Sequence, residues 1–407
     1  MSIEGGPPAS RRRRRAWAAA IIAFLAPVPA AATLAAAEVR WSARLAFDER
    51  YDDNITQLSP KNLDRLDTQG GGHGIECGSG STDTRGGRFS IEAPGDYISM
   101  PQFSGSIRAG WLEGRPTAID LSIAAYKFAR SPIKDWQSFR LEASQPLHRG
   151  KFETRVGLSY GYVPYYYYRN LRSDRTADEL GVLPPPRRET TYRSHTTAVH
   201  VDQVLVPRYL WFSGLAGREG KDYNRCFDER DSEMPLRQFE LAWHPLGDQL
   251  LRVRASFRRE DLHSAGDIPE TLFFTEPDTS SRREIWSGDL RVRWGRQGRK
   301  TTLSLRYEAE RREYSTTNPN DIFHFERIDQ RRHTTVAAHV ELRRNWFLTA
   351  EAERSTNRSS FPTPPGITFL PEDTTDFNEN LYQFGFGHDF GVDGSAGSRG
   401  PQERSRE

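Results

Sequence analysis

Long apolar runs are missing from most of this sequence. After residue 37 no stretch approaches eighteen apolar residues, which excludes a bundle of membrane-spanning helices. Apolar residues make up only 36% of the chain and charged residues 28%, a polar balance for 407 residues. Cysteine is nearly absent. The two that occur, Cys77 and Cys226, exclude a disulfide-dense scaffold and a multi-cysteine zinc site. Excess charge of one sign is lacking as well, since a net charge of +2 leaves no electrostatic footprint for nucleic acid. Helical periodicity is hard to find, and lysine is scarce beside arginine.

What is present starts with an export pattern. Arg11 to Arg15 precede the apolar run AWAAAIIAFLAPVPAAATLAAA, which ends at Ala37. A basic segment, an apolar segment and a small-residue cleavage site describe a secretory signal at 1–37. The run is long enough for a single membrane anchor, but Pro27 and Pro29 would break that helix. Export takes the chain out of the reducing cytosol.

From there on, residues alternate in character with a period of two. Strands are expected at about 39–50, 102–113, 116–128, 135–147, 150–168, 190–205, 208–222, 231–244, 249–262, 283–295, 299–314, 331–344, 346–358 and 377–390. Each has the roughly ten residues that a tilted strand needs to cross a bilayer, where strands of soluble sandwiches run about five or six. The connections alternate between short (113–117, 146–150, 206–208, 244–248, 295–299, 344–345) and longer (51–101, 129–134, 169–189, 223–230, 263–282, 315–330, 359–376). Short turns at one end and long loops at the other are the habit of transmembrane barrels. The fold class expected is all-β, a closed antiparallel transmembrane barrel of about fourteen strands over 38–390.

Tryptophan supports this. Trp41, Trp111, Trp211, Trp243, Trp294 and Trp346 fall near the short-turn ends, and Trp136 and Trp286 near the other rim. Indole favours a membrane interface because its ring is apolar while its N–H wants a partner. Five of the six at the short-turn ends share parity with the apolar face of their strand; Trp211 is ambiguous.

The segment LYQFGFGHDF (381–390) alternates Tyr382, Phe384, Phe386 and Phe390 with Gln383, Gly385, Gly387 and Asp389. It resembles the C-terminal signature strand of bacterial outer-membrane β-barrel proteins, and DERYDDNITQLSPKNLDRL (48–66) resembles segments of outer-membrane proteins of uncharacterised function. The resemblance is porin-like in architecture. It implies an outer-membrane location in a Gram-negative bacterium, contact with lipid and recognition by the barrel-insertion machinery. The signature ordinarily ends a protein, whereas residues 391–407 follow here as a Gly/Ser/charged segment of disordered composition.

With the apolar face outward, the other parity points into the lumen. It holds Arg252, Arg254, Arg258 and Glu260; Asp289, Arg291 and Arg293; Arg306, Glu308, Glu310 and Arg312; His333, His339, Glu341 and Arg343; then Glu351 and Glu353. These charges either pair across strands and stiffen the wall or line a water-filled conduit. The arginines of 249–262 and 283–295 are expected to form one basic patch. Asp64, Asp67, Glu76 and Asp83 of the first loop could fold in opposite it, and the resemblance to general porins implies a transverse field between the two. Cys77 and Cys226 read as one disulfide fastening the first outer loop (51–101) to the mouth.

Motifs for chemistry are weak. GGGHGIECGSGST (70–82) has no strand-to-helix setting for a phosphate loop and reads as a flexible segment, and His73 with Cys77 makes a poor metal pair. Asp52 and Asp53 suit a solvated turn better than a calcium site. YVPYYYYRN (162–169) reads as an aromatic rim, and Ser194, His195 and His200 form no recognisable constellation. No catalytic, cofactor or metal residue is expected. The function expected is a charged conduit for small polar solutes or a secreted polymer. The alternatives are a non-conducting scaffold or adhesin and a barrel-embedded hydrolase.

Overall fold

In a computed structural model the chain closes into a single antiparallel barrel of fourteen strands. The residues described are 39–57, 59, 63, 75–82, 87, 89–91, 93–112, 115–148, 150–172, 180–181, 186–246, 250–264, 279–296, 299–316, 324–360 and 376–391. The expected signal at 1–37 and the tail from 392 lie outside them. In chain order the strands are β1 (Arg40–Asp52), β2 (Asp96–Leu112), β3 (Arg115–Phe128), β4 (Trp136–His148), β5 (Thr154–Leu171), β6 (Arg188–Val206) and β7 (Leu210–Tyr223). They continue with β8 (Ser232–Trp243), β9 (Leu251–Ser264), β10 (Ser281–Arg296), β11 (Arg299–Tyr314), β12 (Ile328–Glu341), β13 (Trp346–Ser360) and β14 (Phe377–Gly391). Each strand pairs with its chain neighbours, and β14 returns to β1 in register from Ser42↔Gly391 to Asp52↔Leu381. Closure leaves no strand edge to pair with another chain. At the seam, Arg44 donates from Nε to Asp389 at 2.5 Å.

Outward positions carry large bare side chains. Phe384 is 69% exposed and Trp286 60%, and Leu158, Leu241, Leu303 and Val336 are exposed along with them. Such a surface is unfavourable in water and at home in hydrocarbon. Charge takes the opposite parity because an arginine facing lipid at the midplane costs about 2–4 kcal/mol. Trp41, Trp243, Trp294 and Trp346 point outward at the short-turn ends.

Two tryptophans depart from the girdle expected. Trp136 pairs with Tyr126 on the lumenal face, the parity of Ser138, Arg140 and Glu142, while Phe139 and Leu141 take the lipid face. Trp211 pairs with Val204 and Ala242, also on the lumenal parity. The β12–β13 connection holds a short 3-10 segment, Arg343–Asn345, closed by Leu342 N–H donating to the Trp346 carbonyl at 2.7 Å. Asn345 takes φ +64°, a left-handed conformation that asparagine tolerates better than most residues.

The lumenal glycines of the last strand have a local reason. A Cβ at position 385 would collide with the Asp48 carboxylate, and one at position 387 with the Phe347 ring. Phe347 is buried inside the barrel, where the Arg44 guanidinium lies over its face at 4.6 Å. Glycine at alternate positions therefore makes room for a neighbour's inward side chain.

Candidate functional site: the charged lumen and its outer vestibule

The barrel midsection is lined by arginines and carboxylates in contact. On β9 and β10 the register sets Arg252 opposite Arg291, Arg254 opposite Asp289, and Glu260 opposite Arg283. Asp289 lies 3.3 Å from Arg252 and 3.5 Å from Arg254, so one carboxylate serves two guanidiniums. Arg254 also comes within 3.6 Å of Glu240 on β8. Glu260, only 1% exposed, sits between Arg258 at 2.6 Å and Arg283 at 3.0 Å. Arg283 continues to Glu310 at 2.6 Å, and Glu310 to Arg312 at 3.2 Å. Arg306 meets Glu308 at 2.9 Å, and Arg293 reaches across β11 to Glu341 on β12 at 2.6 Å. The expected basic patch is thus interleaved with acids, which lowers the cost of placing like charges on adjacent strands. Glu351 faces inward and buried three strands from β10, and Glu353 beside it meets His333 Nδ1 at 3.1 Å.

Toward the long-loop end the lumenal face turns aromatic over five consecutive strands. Tyr126 on β3 and Trp136 on β4 stack with centroids 3.8 Å apart and planes 3° from parallel. Tyr166 on β5 meets Trp136 edge-on at 5.8 Å, and Tyr192 on β6 and Tyr223 on β7 follow at 5.1 Å each. These rings have no lipid to face. The rim expected of YVPYYYYRN is only part of the outcome. Tyr165 and Tyr168 are exposed, Tyr166 joins the lumenal array, and Tyr167 is buried, its hydroxyl accepting from Ser90 N–H at 3.0 Å. Irregularities at Val163/Tyr166 and Tyr167/Arg169 break the alternation, because each extra residue turns the following side chains to the other face.

Beside this array is a cavity of about 250 Å³. Tyr126, Trp136 and Tyr166 form one wall, and Arg50, Asp52, Arg331, Glu353 and Glu379 line it as well. The connection after β1 supplies Ile55 and Gln57, and the β3–β4 connection supplies Lys134. Lys134 donates to the Ile55 carbonyl at 2.8 Å. Burial lowers the pKa of Lys134 to about 8, against the opposing pull of Asp52 and Glu379.

The first connection is fastened at two places. Ile55, Phe89 and Ile91 pack with Phe128 and Ile133 above β3 and β4. Further round, Cys77 and Cys226 form a disulfide across a sequence separation of 149, packed with Leu171, Phe227 and Tyr223. Ile75 bridges to Arg188 at the start of β6. Glu76 is exposed beside the disulfide on the β6–β8 side, and Asp64, Asp67, His73 and Asp83 lie outside the described residues.

Ser194 and His200 face the lumen and His195 the opposite way, so the two histidines share no site. His200 is buried, 3.5 Å from Glu142, in space that Gly157 leaves open. Asp53 accepts from the Asn380 backbone N–H at 2.7 Å and from its side-chain amide at 2.8 Å, and Asp52 accepts from Asn54 N–H at 2.9 Å. Both aspartates serve the turn. Among the described residues no group of three or more metal-ligating side chains converges. The inward Trp136 was legible, since Phe139 and Leu141 set the parity of its strand; the cavity needs three-dimensional closure and was not.

No family model and no curated protein matches the sequence. Solved structures similar to the chain include a bacterial polysaccharide outer membrane secretin, at 8% identity and TM-score 0.37, covering 86% of this chain and 98% of that one. An anion-selective porin from Comamonas acidovorans is similar at 8% identity and TM-score 0.37, covering 87% and 100%. A loop-deletion variant of OmpT, an outer membrane protein of Vibrio cholerae, is similar at 7% identity and TM-score 0.40, with the same coverages. The unbroken register from β1 round to β14 and the apolar outer face carry the assignment by themselves. The chain is a closed antiparallel β-barrel of fourteen strands with an apolar outer face, porin-like in architecture.

Proposed function

We propose that the barrel is an aqueous conduit through which small polar solutes cross the outer membrane. The supporting observation is the partial exposure of inward-facing charges along the wall. Arg140 is 31% exposed and Arg306 28%. Lipid covers the outside at that height, so this exposed surface opens into the lumen, where water can hydrate it. A barrel filled by side chains would bury such groups completely. Export by an N-terminal signal and delivery by the insertion machinery belong to the same reading, and passage of a polymer would extend it. The chemistry proposed for the wall is transport and not catalysis.

A second reading, a non-conducting surface scaffold, is favoured by the packing of Ile55, Phe89 and Ile91 over the mouth and by the disulfide tether. Planar-bilayer recordings with the purified full-length protein decide between them. Stepwise conductance in potassium chloride, with uptake of small sugars in a liposome-swelling assay, is expected of the conduit. Inserted protein that never conducts overturns the conduit.

A further inference from the structure

We infer that the outer vestibule holds a binding subsite for a single uncharged polyhydroxylated ring, a monosaccharide, seated between the aromatic array and the charged wall. The inference rests on the solute-accessible lumen proposed above and adds a recognition site to it.

Size comes first. A cavity of about 250 Å³ is smaller than the roughly 300–1,000 Å³ of pockets for drug-sized ligands, so it suits one ring and no chain. Charge comes second. Arg50, Lys134 and Arg331 are matched by Asp52, Glu353 and Glu379, which leaves no formal excess to select an ion.

The charged groups are also already engaged. Arg50 donates to Gln383 Oε1 at 2.9 Å, and Gln57 donates to Glu379 at 3.2 Å. Glu353 is held by His333, and Arg331 lies 3.6 Å from Glu379. An anion, a cation or a zwitterion would have to break these pairings to bind. A neutral ring need not, because each carboxylate has further lone pairs and each guanidinium further N–H groups for hydroxyls. Planar two-pronged groups of this kind match neighbouring hydroxyls, as they match one another.

The opposite wall supplies the rest. The C–H surface of a sugar ring is apolar and weakly positive, and it packs against aromatic side chains, which offer apolar surface together with indole N–H and phenol O–H. An aromatic cluster on five lumenal strands has no part in anchoring the barrel, whose lipid face carries its own rings.

The test is equilibrium binding to full-length protein in detergent, with D-glucose, D-galactose, leucine and benzoate as probes. Tryptophan fluorescence and calorimetry give the readout. Saturable binding of at least one sugar is expected, with weaker or no binding of leucine and benzoate. Trp136→Ala should weaken sugar binding at least tenfold, Trp136→Phe should restore part of it, and Arg331→Gln should weaken it several-fold. Strand circular dichroism and heat-modifiable migration on gels should match wild type for each variant. No saturable sugar binding, preference for leucine or benzoate, or binding indifferent to Trp136→Ala overturns the subsite. Conductance recorded without sugar tests the conduit separately, so failure of the subsite and failure of the conduit are told apart.

Discussion

Lys134 shows at the scale of one residue how the outer rim is held. It lies in the short turn Pro132–Lys134, with Nζ on the Ile55 carbonyl and Asp52 and Glu379 close by. Burial outweighs those carboxylates and lowers its pKa to about 8, against about 10.4 for lysine in an unfolded chain. Between these values the unfolded chain holds a proton that the folded protein has lost. The unfolded state therefore binds more protons, and this group's contribution to stability rises with pH. Below about pH 8 both states are protonated and the contribution is flat. The urea midpoint of wild type minus that of Lys134→Met should be constant from pH 6 to 7.5 and should climb between pH 8 and 10. A difference that stays level across the whole range removes Lys134 as the titrating group.

Individual elements divide into those legible from alternation and those set by contacts between distant segments. Through the middle of β9, β10 and β11 (251–257, 288–294 and 303–309) apolar or small residues alternate with polar ones, so Arg252, Arg291 and Glu308 lie on the face their parity assigns. In β5 two irregularities interrupt the alternation within the tyrosine run, where tyrosines on both faces look alike in sequence. The choice between lumen and rim there is set by Ser90, which engages Tyr167 from outside its strand, together with Asn170 three residues along β5. The first connection is the larger case. Sequence suggests that Cys77 pairs with Cys226 but not where the segment runs; the structure lays 75–82 beside β6 and the β7–β8 connection. A bond closing so long a loop stabilises by on the order of 4–5 kcal/mol in the chain-entropy account, and less where the unfolded chain keeps structure. Reduction, or paired Cys→Ser substitution at 77 and 226, should lower the denaturation midpoint and speed amide exchange at 75–82. Two free thiols found by alkylation and mass in the unreduced protein would end this account.

The whole molecule carries a charge asymmetry that no single strand reveals. The lumenal faces of β9 and β10 set Arg252, Arg254, Arg258, Arg283, Arg291 and Arg293 against Glu260 and Asp289. Those of β13, β14 and β1 set Glu351, Glu353, Glu379, Asp389, Asp48 and Asp52 against Arg40, Arg44 and Arg50. β1 stands six strands from β9 in a ring of fourteen and β13 three from β10, so the two arcs face each other obliquely across the lumen. An acidic counterpart is therefore present in the wall, where Glu351 and Glu353 were expected; Asp64, Asp67 and Asp83 of the first loop lie outside the described residues. Pairing within each arc weakens the field but does not cancel it, because basic groups outnumber acids on one arc and acids outnumber bases on the other. In the conduit proposed above, water-filled space between low-dielectric walls would focus what remains, drawing anions along the arginines and cations along the carboxylates. Replacing Arg254 and Arg291 with glutamate reverses two charges in the middle of the basic arc. Asp289 would then lose one of its two guanidiniums, with Arg252 still beside it. Under a potassium chloride gradient the reversal potential of this double variant should move toward cation selectivity, while heat-modifiable migration on gels shows that the barrel still folds. Raising the salt from about 0.1 M to 1 M should shrink the difference from wild type, since the screening length falls from about 10 Å to about 3 Å. An unchanged reversal potential in a conducting, folded variant would mean that the arginines only brace the wall.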